Sequence, residues 1–251
     1  MGTRATIVAF VIVISLATHA IPETLNLESP IAFVARTLEY YGDLETARIV
    51  RNLPTPPSNK LIWVNIPTFS LVYFSPSGNY SHHRIITGSA AGKNRTPLMT
   101  SFVTAIQVNP WWYPTPRIAK ESPKYRKPIP PGPSNPLGTV KLVIDSPFTV
   151  FLHDTPHQHL FDREFRAYSH GCIRTEDAEI LAGLILEDDN QNINIDELIE
   201  SGKTKTVYLK EHVPLIISYL RSFIESDGTV SEGVDVYKIG FGKIRFAFRK
   251  W

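Results

Sequence analysis

A single cysteine, Cys172, occurs in the chain's 251 residues. An intramolecular disulfide is therefore excluded, and the thiol is either an inert buried group or one kept for its reactivity. Charge of one sign is also lacking: 26 Lys and Arg against 24 Asp and Glu leave a net +2, far short of the basic excess of a nucleic-acid binder. The apolar run at residues 5–17 falls below the roughly twenty residues of a membrane span. With Arg4 ahead of it and Thr18, His19 and Ala20 behind, residues 1–20 read as a signal peptide, which leaves no span in the mature chain and places the working part outside the cytoplasm. Heptads and internal repeats are absent, so neither a coiled coil nor a solenoid is expected. Aromatics are plentiful, at 13 Phe, 10 Tyr and 4 Trp, and 43% of the residues are hydrophobic. That supply suits one domain with a sizeable core.

Residues 21–59 read as a helical preface. Ser29 and Pro30 are an N-cap and first helical residue, and Ile31, Val34, Leu38 and Tyr41 follow at helical spacing. A second short helix is expected over 44–53, then a proline-rich linker over 54–59. From residue 61 the pattern changes to alternation. Strands are expected at 61–66, 69–75, 81–87, 100–108, 138–145, 148–153, 204–209 and 214–219, with a hairpin turn at 76–79. His82 and His83 lie on one of these strands and read as solvent-facing. Residues 109–137 break the pattern with nine prolines, the adjacent Trp111 and Trp112, and several basic residues. A segment this long and irregular reads as a functional lid, or as a loop whose tryptophans plug the core. A helix is expected to begin straight after Cys172, with Thr175 as its N-cap, which would place the thiol at a helix N-terminus and lower its pKa. A further helix is expected over 194–201, closed by Gly202. The basic and aromatic tail, residues 239–251, reads as an edge strand.

The chemistry gathers at Ser169, His170, Gly171, Cys172 and Arg174. Gly171 permits close backbone approach. Its N–H and that of Cys172 could converge on an oxyanion. Arg174 suits a carboxylate, which it would grip, or it braces the turn. His153, at the end of an apolar strand, supplies the base a thiol needs. His170 is a second candidate base. A metal alternative also exists, because His153, His157, His159 and His170 lie near Asp154 and Cys172 in sequence. Pro156 and the absence of a regular ligand spacing weigh against it, so neither metal nor cofactor is expected.

The ordered set of His153, a gap of fifteen residues, then Ser169-His170-Gly171-Cys172 and Arg174 resembles the L,D-transpeptidases, whose catalytic domain is of the YkuD type. The resemblance covers residues 60–238 and is strongest to the larger periplasmic Gram-negative members. It is also carried by Val64-Asn65-Ile66-Pro67, Thr96-Pro97, Asn109-Pro110-Trp111, Leu137-Gly138, His153-Asp154-Thr155-Pro156 and Val234-Asp235-Val236-Tyr237. It implies a mainly β fold with a few helices (α+β), a β-sandwich with a proline-rich capping loop and a helix after the cysteine. It implies Cys172 as nucleophile, His153 as base, and Asp154 orienting the imidazole through its backbone carbonyl. Gly171 and His170 would complete the catalytic group, with Ser169, Arg174, Trp111 and Trp112 on the substrate. The implied donor is a peptidoglycan tetrapeptide stem and the acceptor a neighbouring stem's amine. Water or an envelope protein are alternative acceptors, a non-catalytic peptidoglycan-binding module is the alternative from another class, and carbapenems are expected to acylate Cys172.

Overall fold

The structure, a computed structural model, describes residues 29–40, 44–53, 59–224 and 230–240. The expected leader and most of the expected tail strand lie outside the described residues. No helix among the described residues is long and apolar enough to cross a membrane.

Two short helices come first, α1 (Pro30–Tyr40) and α2 (Leu44–Arg51). The Ser29 hydroxyl accepts from the Ala32 N–H at 3.1 Å, the capping bond expected of a serine just before a helix. Nine strands then form one sheet: β1 (Leu61–Asn65), β2 (Ser70–Phe74), β3 (Tyr80–Gly88), β4 (Met99–Val108), β5 (Val140–Ile144), β6 (Leu152–His153), β7 (Ala167–Ser169), β8 (Ile173–Thr175) and β9 (Lys205–Ser218). Their order is β2-β1-β9-β4-β5-β6-β8-β3-β7, and a further β2–β3 pairing closes the sheet on itself. The two layers of the expected sandwich are thus continuous, as in a barrel, with β7 added outside β3. A small hairpin, β10 (Ser222–Ile224) with β11 (Val230–Glu232), stands apart. Three more helices, α3 (Pro116–Glu121), α4 (Ala178–Asp188) and α5 (Ile195–Glu200), lie in the connections.

The period-2 alternation of the strands sorts side chains between the barrel interior and its outer surface. Ile62, Val64, Leu71, Tyr73, Leu142, Leu152, Ile173 and Leu215 belong to the inner core, which Leu181 and Ile185 of α4 join. On β1 and β2 the opposite set, Leu61, Trp63, Val72 and Phe74, meets Val34, Ala35 and Leu38 of α1 and Val50 of α2 in a second core. Both faces of these two strands are therefore covered, which is why every one of their residues is buried.

Three expectations change. The segments 204–209 and 214–219 are one strand, β9, whose register with β4 shifts between Val103 and Ala105, where residues 209–212 of β9 stand opposite Thr104. His83 is buried, held between the Ser81 hydroxyl at Nε2 and the Glu176 carbonyl at Nδ1, each at 3.0 Å. The residues after Cys172 form strand β8, and α4 begins only at Ala178, behind Asp177 with its left-handed backbone (φ 51°). Cys172 is accordingly not at a helix N-terminus. The stretch Ile173–Thr175 is rich in β-branched residues, and pairing with β6 and β3 outweighs the capping signal of Thr175.

Candidate active site

Because Leu152 and Ile173 point inward, their neighbours His153 and Arg174 project from the outer face of the barrel. The register places Lys141 of β5 beside His153 of β6, and His153 beside Arg174 of β8. Three adjacent strands thus present a row of lysine, histidine and arginine. Cys172, just ahead of β8, opens on the same side. All four line one cleft of about 970 Å³, together with Trp111, Trp112, Arg117, Phe148, Phe151, Gly171 and His170.

The cysteine turn, residues 170–172, carries the chain from β7, outside β3, to β8 on β3's other side. Gly171 takes φ 121°, a conformation that glycine adopts without strain. The Thr96 hydroxyl donates to the Gly171 carbonyl at 3.0 Å and accepts from the Gly88 N–H at 2.8 Å. The Thr96 N–H in turn donates to the Tyr237 hydroxyl at 2.9 Å, and that hydroxyl donates to the Gly88 carbonyl at 3.1 Å. Ser169 is 4% exposed and turned inward. Its hydroxyl donates to the Cys172 carbonyl and accepts from the Gly171 N–H at 3.0 Å. The Ser169 hydroxyl and the Gly171 N–H, expected on the substrate and at the oxyanion, are thus both engaged within the turn, which leaves the Cys172 N–H as the backbone donor beside the thiol.

His153 is 5% exposed. Its Nδ1 lies against the backbone carbonyl of Asp154. A carbonyl can only accept, so Nδ1 carries the proton and Nε2 is left as the acceptor. Burial, reinforced by the positive charges of Arg174 and Lys141, lowers the imidazole pKa to about 3. The ring is therefore neutral at physiological pH, the form that can take a proton. The Asp154 carboxylate accepts from the Thr139 N–H at 2.9 Å, from the Thr139 hydroxyl at 3.1 Å and from the Gln158 amide at 2.9 Å. That ties down the residue whose carbonyl orients His153. Gly138 makes room for it: a Cβ there would meet Asp154 Oδ2 at 2.0 Å.

Burial raises the pKa of the Cys172 thiol. A backbone hydrogen bond from Phe151 and the charges of Arg174 and Lys141 oppose that effect without reversing it. Burial lowers the pKa of both cations. His170 is exposed; its Nε2 lies 3.1 Å from Glu121 Oε2 of α3, and its carbonyl accepts from Arg117 Nη2 at 3.1 Å. His170 thus faces the lid, while His153 occupies the row beside Arg174. His157 and His159 are exposed in the following loop, their rings 6.2 Å apart. No three His, Cys, Asp or Glu side chains converge as metal ligands would among the described residues.

Residues 109–137 roof the cleft. Asn109, at φ 47°, turns the chain out of β4 while its side-chain amide donates to the Leu198 and Ile199 carbonyls, each at 3.0 Å. Trp112 exchanges a pair of backbone hydrogen bonds of 2.9 Å with Ile129, and its ring meets Tyr125 edge-on at 5.0 Å. Trp111 is 43% exposed. Neither tryptophan plugs the core.

The family model of the YkuD L,D-transpeptidase catalytic domain matches residues 59–206, more than half of the chain. The chain belongs to the L,D-transpeptidase catalytic-domain family. A Haemophilus influenzae protein provisionally named an L,D-transpeptidase is 27% identical over 223 residues, covering 72% of this chain and 45% of that protein. The chain thus spans less than half the length of this curated relative. Similar solved structures include an L,D-transpeptidase from Mycobacterium smegmatis at 15% identity and TM-score 0.39, covering 63% of this chain and 58% of that one. Another is the Ldtfm–avibactam carbamoyl enzyme, at 16% identity and TM-score 0.37, covering 63% and 48%. In this L,D-transpeptidase domain the sequence reasoning missed Lys141, whose alternation with Val140 and Leu142 hinted at an outward position, and the Thr96–Tyr237 brace, which joins segments distant in sequence.

Proposed function

We propose that the chain is an exported cysteine acyltransferase that forms peptidoglycan cross-links. The Cys172 sulfur attacks the carbonyl of a tetrapeptide stem at its L-to-D bond. His153 Nε2 takes the thiol proton and passes it to the departing amine. The Cys172 N–H faces the developing oxyanion. The resulting thioester is resolved by a stem amine, which loses its proton to His153 as the new amide forms and the thiolate leaves. Arg174 holds the carboxylate of the departing residue. It makes no hydrogen bond or ion pair among the described residues, which supports a donor fork kept for a ligand.

One observation carries this reading: a neutral, tautomer-oriented His153 opens into the same cleft as the chain's only thiol. The test is mass spectrometry of protein and products after incubation with a tetrapeptide donor and an amine acceptor. The expected result is a thioester adduct on Cys172, a cross-linked product, and neither with Cys172→Ala. An adduct on another residue would overturn the nucleophile assignment. Tripeptide as the sole product with every acceptor offered would make the protein a hydrolase.

A further inference from the structure

The cleft's charge is one-sided. Lys93, Arg95, Arg117, Lys141 and Arg174 line it, and no Asp or Glu does. Two of the five are already occupied: Arg95 sits over the Tyr237 ring at 5.4 Å, and Arg117 holds the His170 carbonyl. Lys141 and Arg174 differ. They are half-buried, stand on either side of His153 in the strand register, and make no hydrogen bond or ion pair among the described residues. The Lys141 ammonium sits over the face of Phe151, 4.7 Å from its centroid. Cations held this far from water without a counter-ion are costly unless a ligand supplies one. Side chains directly opposite across strands stand roughly 5 Å apart at Cβ, so the two charges bracket the imidazole and the bond it serves.

We propose that Lys141 is a substrate-binding residue and that, with Arg174, it makes the site selective for donors with a free carboxylate on each side of the scissile bond. Arg174 takes the carboxylate of the departing residue. Lys141 takes a side-chain carboxylate on the residue that contributes the carbonyl. A donor in which that side-chain carboxylate is an amide leaves Lys141 unpaired in the closed cleft and is disfavoured. This rests on the acyl-transfer reading above and specifies which stems the site accepts.

The experiment uses two synthetic tetrapeptides that differ only in whether this side-chain carboxylate is free or amidated. The rate of acyl-enzyme formation is followed by intact mass over a range of donor concentrations. The wild type should prefer the free acid on the order of tenfold, as expected for one charge-assisted contact, with the difference appearing at sub-saturating donor. Lys141→Gln should bring the ratio close to one, and Lys141→Arg should keep it. The wild-type preference should also shrink as salt is raised, a measurement that needs no variant to fold. Equal acylation of both peptides by the wild type overturns the proposal. So does a Lys141→Gln variant that slows both donors alike, since Lys141 would then act on the thiol and not on the substrate. If neither peptide acylates a Cys172 that iodoacetamide still alkylates, the acyl-transfer reading itself fails, a result distinct from loss of selectivity.

Discussion

At the scale of single residues, the thiol and its base are both held in their neutral forms. Burial alone would suppress the Cys172 thiolate, and the nearby Arg174 and Lys141 charges recover only part of it. Burial, with a smaller push from the same charges, keeps His153 neutral, so the site favours the neutral thiol and imidazole over a thiolate–imidazolium pair. The thiol gives up its proton as it attacks. Alkylation of the free protein by iodoacetamide should therefore rise with pH through a midpoint above the ordinary thiol value of about 8.5, because a raised pKa shifts the thiolate population toward alkaline pH. A midpoint below 7 would restore the stored ion pair. The expected helix-terminus effect does not operate, since a strand and a left-handed turn separate Cys172 from α4. The residue types that gather at the candidate site were legible in the sequence because thiol chemistry requires a base and a donor near the sulfur. Which partners Ser169 and Gly171 use was not legible, because a hydroxyl and an N–H beside a cysteine can face a substrate or one another.

At the scale of elements, alternation read correctly for most strands, the capping residue Ser29 marks a true helix start, and the helix expected from 194 begins behind Asn194, which caps it. The misreadings nearest the site share a cause. The β6 and β8 strands are two and three residues long, too short for a period to declare itself, and only their pairing makes them strands. The site is built on these two, so its geometry is the part least visible in one dimension. The irregularity of residues 109–137 was visible, because nine prolines and two adjacent tryptophans are local signals. Within it the two tryptophans play different parts. Trp112 is fixed by its bridge to Ile129 and by Tyr125, whereas Trp111 lies half-open at the cleft wall, its ring tilted against Tyr113 at 6.4 Å. Arg117 and Glu121 of α3 tie the roof to His170 of the cysteine turn. A thioester favours amines over water only if the acceptor is bound and water is held off. Trp111→Ala should accordingly lower the ratio of cross-linked to hydrolysed product at saturating donor, while acylation of Cys172 survives in part. An unchanged ratio would remove the lid from the choice between transfer and hydrolysis.

At the scale of the whole molecule, the site and the preface occupy opposite sides of one barrel. The cleft lies over β5, β6 and β8; α1 and α2 cover β1, β2 and β9, across the ring in strand order. The matched family region begins at residue 59, yet the chain ahead of it completes a core the barrel shares, since Trp63, Val72 and Ile216 are buried beneath it. Lys60 marks the entry to the barrel: its ammonium is buried and paired with Asp189 at 2.9 Å and Glu211 at 3.5 Å. Stability and chemistry should therefore separate by location. Leu38 is fully buried in the second core. Leu38→Ala should destabilise by about 2–5 kcal/mol, the loss of a buried leucine side chain plus the cavity left behind. The rate of Cys172 acylation, measured where the variant is still fully folded, should match the wild type, because no residue of this core touches the cleft. The measurements are a denaturant midpoint and an acylation rate on the same preparation. A variant that keeps its midpoint would mean that α1 adds nothing to the fold. One that loses acylation while fully folded would mean that the two sides of the barrel are coupled through the closed sheet, and that the preface helps to shape the site.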